Sequence, residues 1–158
     1  MADEAMPGRD EEAVRRFVEN FAVTMSEAGF PRMPARVFVA LLVSESGSRT
    51  AAELAEFLKV SPAAISGAVR YLMQVSLVGR EREPGARRDH YRVVEDWHEV
   101  MVRRDQVMQQ WTAAMKEGIE TVGADSEAGK RMEEMRDLFA FLGKEIPLLY
   151  EKWRAGRS

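Results

Sequence analysis

A mainly α-helical (α+β) chain carrying one small β element is predicted from three observations. Apolar residues recur at helical spacing through most of the 158 residues. Helix-start signals stand at Pro34, Thr50, Ser61 and Ser126. Between Leu77 and Val94 the pattern changes to alternation around a Pro-Gly turn. A composition of 46% hydrophobic and 31% charged residues belongs to a folded chain, with enough length for one compact domain and an extension. The absence of cysteine excludes disulfides, thiol redox sensing and thiolate metal sites. The start, Met1-Ala2-Asp3-Glu4, is acidic and is followed by no apolar core of the signal-peptide kind. The longest apolar run, Val37 to Val43, is far short of the roughly 20 residues a membrane span needs. A soluble, cytoplasmic chain is the expectation.

Val14, Phe17, Val18, Phe21, Ala22 and Met25 form one apolar stripe, which predicts an amphipathic helix over about 10–28, ended by Gly29 and Pro31. Pro34 suits the first turn of a second helix. The residues after it, Ala35 to Val43, are apolar nearly all round, as in a helix buried in a core. Ser44 to Ser48 reads as a loop. Thr50-Ala51-Ala52-Glu53 is a capping box: the threonine hydroxyl accepts from the amide three residues on, and the glutamate reaches back. The short helix it opens carries Leu54, Ala55 and Leu58. Ser61-Pro62 then combines an N-cap with proline at the first helical position. Ile65, Ala68 or Val69, Leu72 and Val75 supply the inner face of the helix that follows. Two short helices joined by a tight turn make a helix-turn-helix.

Residues 77–83 and 87–94 are predicted as a hairpin, with Glu83-Pro84-Gly85-Ala86 as turn and arginines at its tip. Helical period returns from Glu95 to about Val122. Trp97, Met101, Arg104, Met108, Trp111, Met115, Gly118 and Val122 follow alternating spacings of four and three, a heptad-like seam. Gly123 to Gly129 breaks the pattern, with Ser126 as a new cap. A last helix carries Met132, Met135, Leu138, Phe139, Leu142 and Ile146, and Pro147 is expected to bend or interrupt it.

The order helix, helix, helix-turn-helix, two-stranded wing and two long helices resembles the MarR family of regulators. So does Thr50-Ala51-Ala52-Glu53-Leu54-Ala55 leading into Ser61-Pro62-Ala63-Ala64-Ile65-Ser66. The terminal helices, including Met135-Arg136-Asp137-Leu138-Phe139-Ala140-Phe141, look closest to its GbsR-like branch. The resemblance covers nearly the whole chain and is strongest over 35–93. It implies a single MarR-like chain over 1–158. An N-terminal dimerisation helix would occupy 10–30, a winged helix-turn-helix 34–94, and a long helix with C-terminal dimerisation helices 95–158. It further implies a homodimer on a pseudo-palindromic operator in double-stranded DNA. The second helix of the motif would read the major groove and the wing tip would reach the minor groove. A small apolar effector between the dimerisation and DNA-binding parts is also implied, and repression is the expected outcome.

The residues themselves agree with a DNA surface. Net charge is −3 overall but +3 over 61–92, leaving −6 elsewhere, as a confined phosphate-facing region would need. Ser61, Pro62, Ala63, Ser66, Gly67 and Arg70 fall opposite Ile65, Val69 and Leu72, and are small or polar enough for close approach to base edges. Gly67 weakens a helix; close backbone approach to DNA or tight helix packing would each explain it. Arg70 can pair with a guanine edge or a phosphate. Arg87 and Arg88 match the family's wing-tip arginine pair. The aspartate usual before that pair is replaced by Ala86, and Asp89 could substitute for it as wing brace. Arg80, Arg82 and Arg92 read as phosphate contacts or solvated wing residues.

His90 and His98, the only histidines, lack a second ligand pair, so no metal site is expected. Nor does the chain carry a cysteine nucleophile, a glycine-rich phosphate loop, or Ser-His-Asp or His-Glu-His spacing. No enzyme, catalytic residue or cofactor is expected. The alternative is a winged-helix protein-interaction module that does not bind DNA, to which the acidic total charge and the wing acids Glu81, Glu83 and Asp89 point.

Overall fold

The computed structural model describes residues 8–157; the acidic start Met1–Glu4 lies outside them. The chain divides into two compact units, residues 1–95 and 96–158. The first holds helices α1 (Glu11–Glu27), α2 (Arg32–Leu42), α3 (Ala51–Leu58) and α4 (Pro62–Gln74), with strands β1 (Ser48–Thr50), β2 (Val78–Glu81) and β3 (His90–Val93). The second is α5 (Trp97–Val122) and α6 (Glu127–Ala155). This is the predicted mainly helical winged helix-turn-helix with flanking helices.

Local chemistry explains each boundary. Asp10 caps α1, its Oδ1 accepting from the amides of Glu12 and Ala13 at 3.1 Å each. The Thr50 box forms as the spacing requires: the Glu53 amide donates to Thr50 Oγ1 at 3.2 Å and the Thr50 amide to Glu53 Oε2 at 2.7 Å. Ser61 Oγ accepts from the Ala64 amide at 3.2 Å, and Pro62 follows as the first residue of α4. Ser126 caps α6 through the Gly129 amide at 2.9 Å.

One apolar core organises the first unit. Val18 of α1, Val37, Val39, Ala40 and Leu41 of α2, Leu54, Phe57 and Leu58 of α3, and Ile65, Ala68, Val69 and Leu72 of α4 are all buried. Both Ala68 and Val69 point inward, so the inner face of α4 is broad enough to seat the helix in one rotation about its axis. The α1 stripe divides. Val18 and Ala22 are buried, whereas Phe17 and Phe21 stand 53% and 39% exposed, their rings 5.9 Å apart.

One sequence expectation is corrected and another is narrowed. The sheet has three strands, in order β1-β3-β2, and not two. Ser48, Arg49 and Thr50 pair antiparallel with Arg92, Tyr91 and His90. Three residues without alternation carry no strand signal; β1 exists because β3 offers an unpaired edge that the chain passes as it enters α3. Thr50 therefore ends a strand and caps a helix at once. Of the two outcomes expected at Pro147, a bend or an interruption, the interruption does not occur: α6 runs unbroken to Ala155. A proline forfeits one backbone bond and crowds the carbonyl four residues earlier. That residue is Gly143, whose missing side chain also lets α5 approach. A Cβ there would lie 3.3 Å from Met108 Cβ. Within the hairpin of α5 and α6, Trp111 and Phe139 meet at 5.2 Å between centroids.

Candidate nucleic-acid interface

Helix α4 has 13 residues and is therefore about 20 Å long at 1.5 Å per residue. Its buried side carries Ile65, Ala68, Val69 and Leu72. The other side presents Ser61, Pro62, Ala63, Ser66, Gly67 and Arg70, all exposed. The six residues selected from the sequence thus come together on one face, at the N-terminal two-thirds of the helix. Their small size leaves the backbone close to the surface, with Arg70 as the one long side chain among them.

Gly67 separates the two explanations left open for it. A Cβ built on it would meet nothing within 4 Å. No neighbouring helix among the described residues needs the space, so tight packing is not the reason for glycine here. An exposed, uncrowded mid-helix glycine costs stability without a structural return.

Arg87 and Arg88 sit on a separate element, the loop joining β2 to β3. That loop turns at Glu83-Pro84-Gly85-Ala86, closed by the Ala86 amide on the Glu83 carbonyl at 2.9 Å. Proline at the second position and glycine at the third, with φ 85°, are the residues a type II turn requires. Asp89 takes the bracing role that Ala86 cannot. Its Oδ1 accepts from Arg82 Nε at 2.7 Å, and its Oδ2 lies 3.8 Å from Arg80 Nη1. Both partners stand on or just beyond β2, so the carboxylate ties the end of the loop back across the hairpin.

The ion pairs sort the six arginines of 61–92 into two groups. Arg80 and Arg82 are held by Asp89, and Arg92 lies between Glu81 at 3.4 Å and Glu95 at 3.3 Å. Among the described residues Arg70, Arg87 and Arg88 make no side-chain hydrogen bond or ion pair. These three are the cations left to meet an outside anion. The wing acids Glu81 and Asp89, which favour a protein partner when counted from sequence, are engaged by the chain's own arginines. Sequence reasoning missed Arg49, which is 7% exposed with its guanidinium 4.4 Å from the Phe57 ring centroid. It belongs to the unpredicted strand β1, and no periodicity marks it.

Among the described residues no group of three or more His, Cys, Asp or Glu side chains is arranged to hold a metal ion, and no helix is long and apolar enough to cross a membrane. In the second unit a groove of about 380 Å³ between α5 and α6 is lined by residues that include Met108, Phe139, Ala140 and Gly143. Arg136 also lines it, its guanidinium held above its ordinary pKa chiefly by a hydrogen bond to Asp137.

Two family models match the chain. One, described as the MarR family, covers residues 28–89. The other, described as an MmpR5-like MarR family transcriptional regulator, covers 95–156. No curated protein sequence matches. Among solved structures, one described as a transcriptional regulator superposes with a TM-score of 0.81 at 23% identity, over 90% of this chain and 99% of its own. That likeness shows the fold. TrmBL2, an archaeal chromatin protein, gives a TM-score of 0.44 at 24% identity, over 79% of this chain and 42% of its own. A MarR family transcriptional regulator from Silicibacter pomeroyi DSS gives 0.41 at 14% identity, over 89% and 84%.

Proposed function

The chain belongs to the MarR family, and from that premise we propose that it is a sequence-specific, DNA-binding transcriptional regulator that acts as a homodimer in the cytoplasm. Each α4 enters the major groove of one half of a pseudo-palindromic operator, and each wing tip reaches the flanking minor groove. The observation that carries this reading is the outer face of α4. Six exposed residues there leave the backbone bare around an otherwise unexplained Gly67, beside an arginine with no partner of its own. Ser61, Pro62, Ala63, Ser66 and Gly67 shape the contact, Arg70 reads a base edge or holds a phosphate, and Arg87 and Arg88 supply wing contacts.

No chemistry is performed on the DNA; occupancy is the output, and repression is the proposed consequence. Phe17 and Phe21, exposed on α1, belong to the surface that pairs two copies. Leu138, Phe141, Leu148 and Leu149 of α6, also exposed, extend the apolar surface available for pairing. A small apolar effector is part of the proposal, because methionine-rich apolar walls adapt to varied ligands. The GbsR-like affinity of the terminal helices is proposed beside their MmpR5-like match.

The test is selection of bound duplexes from a random pool, followed by titration of the selected duplex over a range of salt. A recovered inverted repeat with half-sites about one helical turn apart, bound with a steep salt dependence, is the expected result. A protein that enriches no sequence and shifts no duplex at low salt would instead be the protein-interaction module.

A further inference from the structure

Leu58 is the last residue of α3, and its carbonyl is one that a helix end leaves without an intrahelical donor. Continuing the helix would bring the amide of residue 62 to it, but residue 62 is proline and has no N–H. The chain also leaves the helical path at once: Lys59 adopts a left-handed conformation, φ 54°. The Val60 amide returns to the Ala55 carbonyl at 3.0 Å, and Ser61 then caps α4. No backbone amide among the described residues serves Leu58. Its donor comes from α2. Arg36 Nη2 donates to the Leu58 carbonyl at 3.0 Å.

The same guanidinium grips α1. Arg36 Nε donates to both oxygens of Glu19 at 3.0 Å, and Nη2 donates to Glu19 Oε1 at 2.6 Å. The Arg36 side chain is 15% exposed and Glu19 41%. One planar group thus joins three helices, and its target on α3 lies four residues before the first residue of the proposed recognition helix. A guanidinium can do this because its donors are fixed in a fork; an ammonium supplies equal charge without that directionality.

We propose that Arg36, oriented by Glu19, is a positioning residue for DNA recognition. It fastens the incoming end of the turn between α3 and α4, and so sets the aim of the Ser61–Arg70 face relative to α1. This rests on the DNA-binding reading above. Arg36 itself touches no DNA; it acts through the turn.

The test compares the wild-type protein with Arg36→Lys, Arg36→Met and Glu19→Gln in two measurements. Amide exchange on the DNA-free protein reads the turn directly. Exchange over residues 57–66 should rise about tenfold in both Arg36 variants and less in Glu19→Gln, on the scale of one broken charge-assisted hydrogen bond, with the β2–β3 hairpin unchanged. Titration with the selected operator and a scrambled duplex of equal length reads recognition. The ratio of the two affinities should fall about tenfold, with scrambled-duplex affinity and salt slope as in wild type, since Arg70, Arg87 and Arg88 remain. Wild-type exchange at 57–66 in Arg36→Met would overturn the proposal. So would faster exchange spread evenly over the first unit, or an unchanged affinity ratio alongside a loosened turn. If wild type itself prefers no sequence, the DNA-binding reading falls, and the exchange data alone decide whether Arg36 holds the turn.

Discussion

Replacing Gly67 by alanine should change stability and operator binding in opposite directions. In the free protein the added methyl enters open space, since nothing lies within 4 Å of the Cβ position. The residue sits inside α4, so the substitution removes the mid-helix glycine penalty and stabilises by about 0.5–1 kcal/mol, in part by restricting the unfolded chain. For a chain of this size that raises the unfolding midpoint by roughly 1–4 °C. In the proposed complex the same methyl would point at the DNA. Inserting a methyl into a close-packed contact costs about 1–3 kcal/mol, which is about fivefold to 150-fold in affinity. The assay pairs urea or thermal unfolding of the free protein with titration of the selected operator at constant salt. A stabilised variant that binds the operator as tightly as wild type would refute the argument that glycine is there for DNA approach. A destabilised variant would refute the premise that the helix face is open. Few substitutions predict two signs at once, and a general defect in folding cannot produce both.

Arg70→Ala should weaken operator binding by about 1–3 kcal/mol and relax selectivity at one base pair per half-site, as read by competition among operator variants; its stability should stay within about 0.5 kcal/mol of wild type. Replacing Arg87 and Arg88 together by alanine should flatten the dependence of log K on log salt by about 0.9 for each phosphate no longer neutralised, and an unaltered slope would remove them from the interface. Asp89→Asn should change stability by less than about 1 kcal/mol because its pairs are exposed, yet steepen the salt dependence by about 0.9 or more as Arg80 and Arg82 are released. Ile65→Ala, at a fully buried position, should cost about 2–5 kcal/mol in urea unfolding and reduce DNA binding only in proportion to the unfolded fraction.

Local signals carried the helices and their starts. The Thr50 box, the Ser61-Pro62 pair and the Ser126 cap are short-range chemistry, complete within four residues, so the sequence alone determined where α3, α4 and α6 begin. The same holds for the faces of α4: a period of 3.6 and one inner stripe suffice to put Ile65 and Leu72 inward and Ser66, Gly67 and Arg70 outward. Tertiary structure decided what depends on a partner distant in the chain. Strand β1 has no pattern of its own and forms on the edge of β3, which comes much later in the chain, beyond α3, α4 and β2. The division of the α1 stripe into buried Val18 and Ala22 and exposed Phe17 and Phe21 follows from how α2 packs on it, which a helical period cannot foretell. The pairing of the wing charges is of the same kind. Sequence counts six arginines and three acids in one window. Only the hairpin register and the fold of the loop bring Asp89 to Arg80 and Arg82, and Arg92 between two glutamates. Arg70, Arg87 and Arg88 are left without a side-chain partner among the described residues, and so open to the proposed DNA contact, because Coulomb attraction at these ranges depends on distance, and distance is a property of the fold.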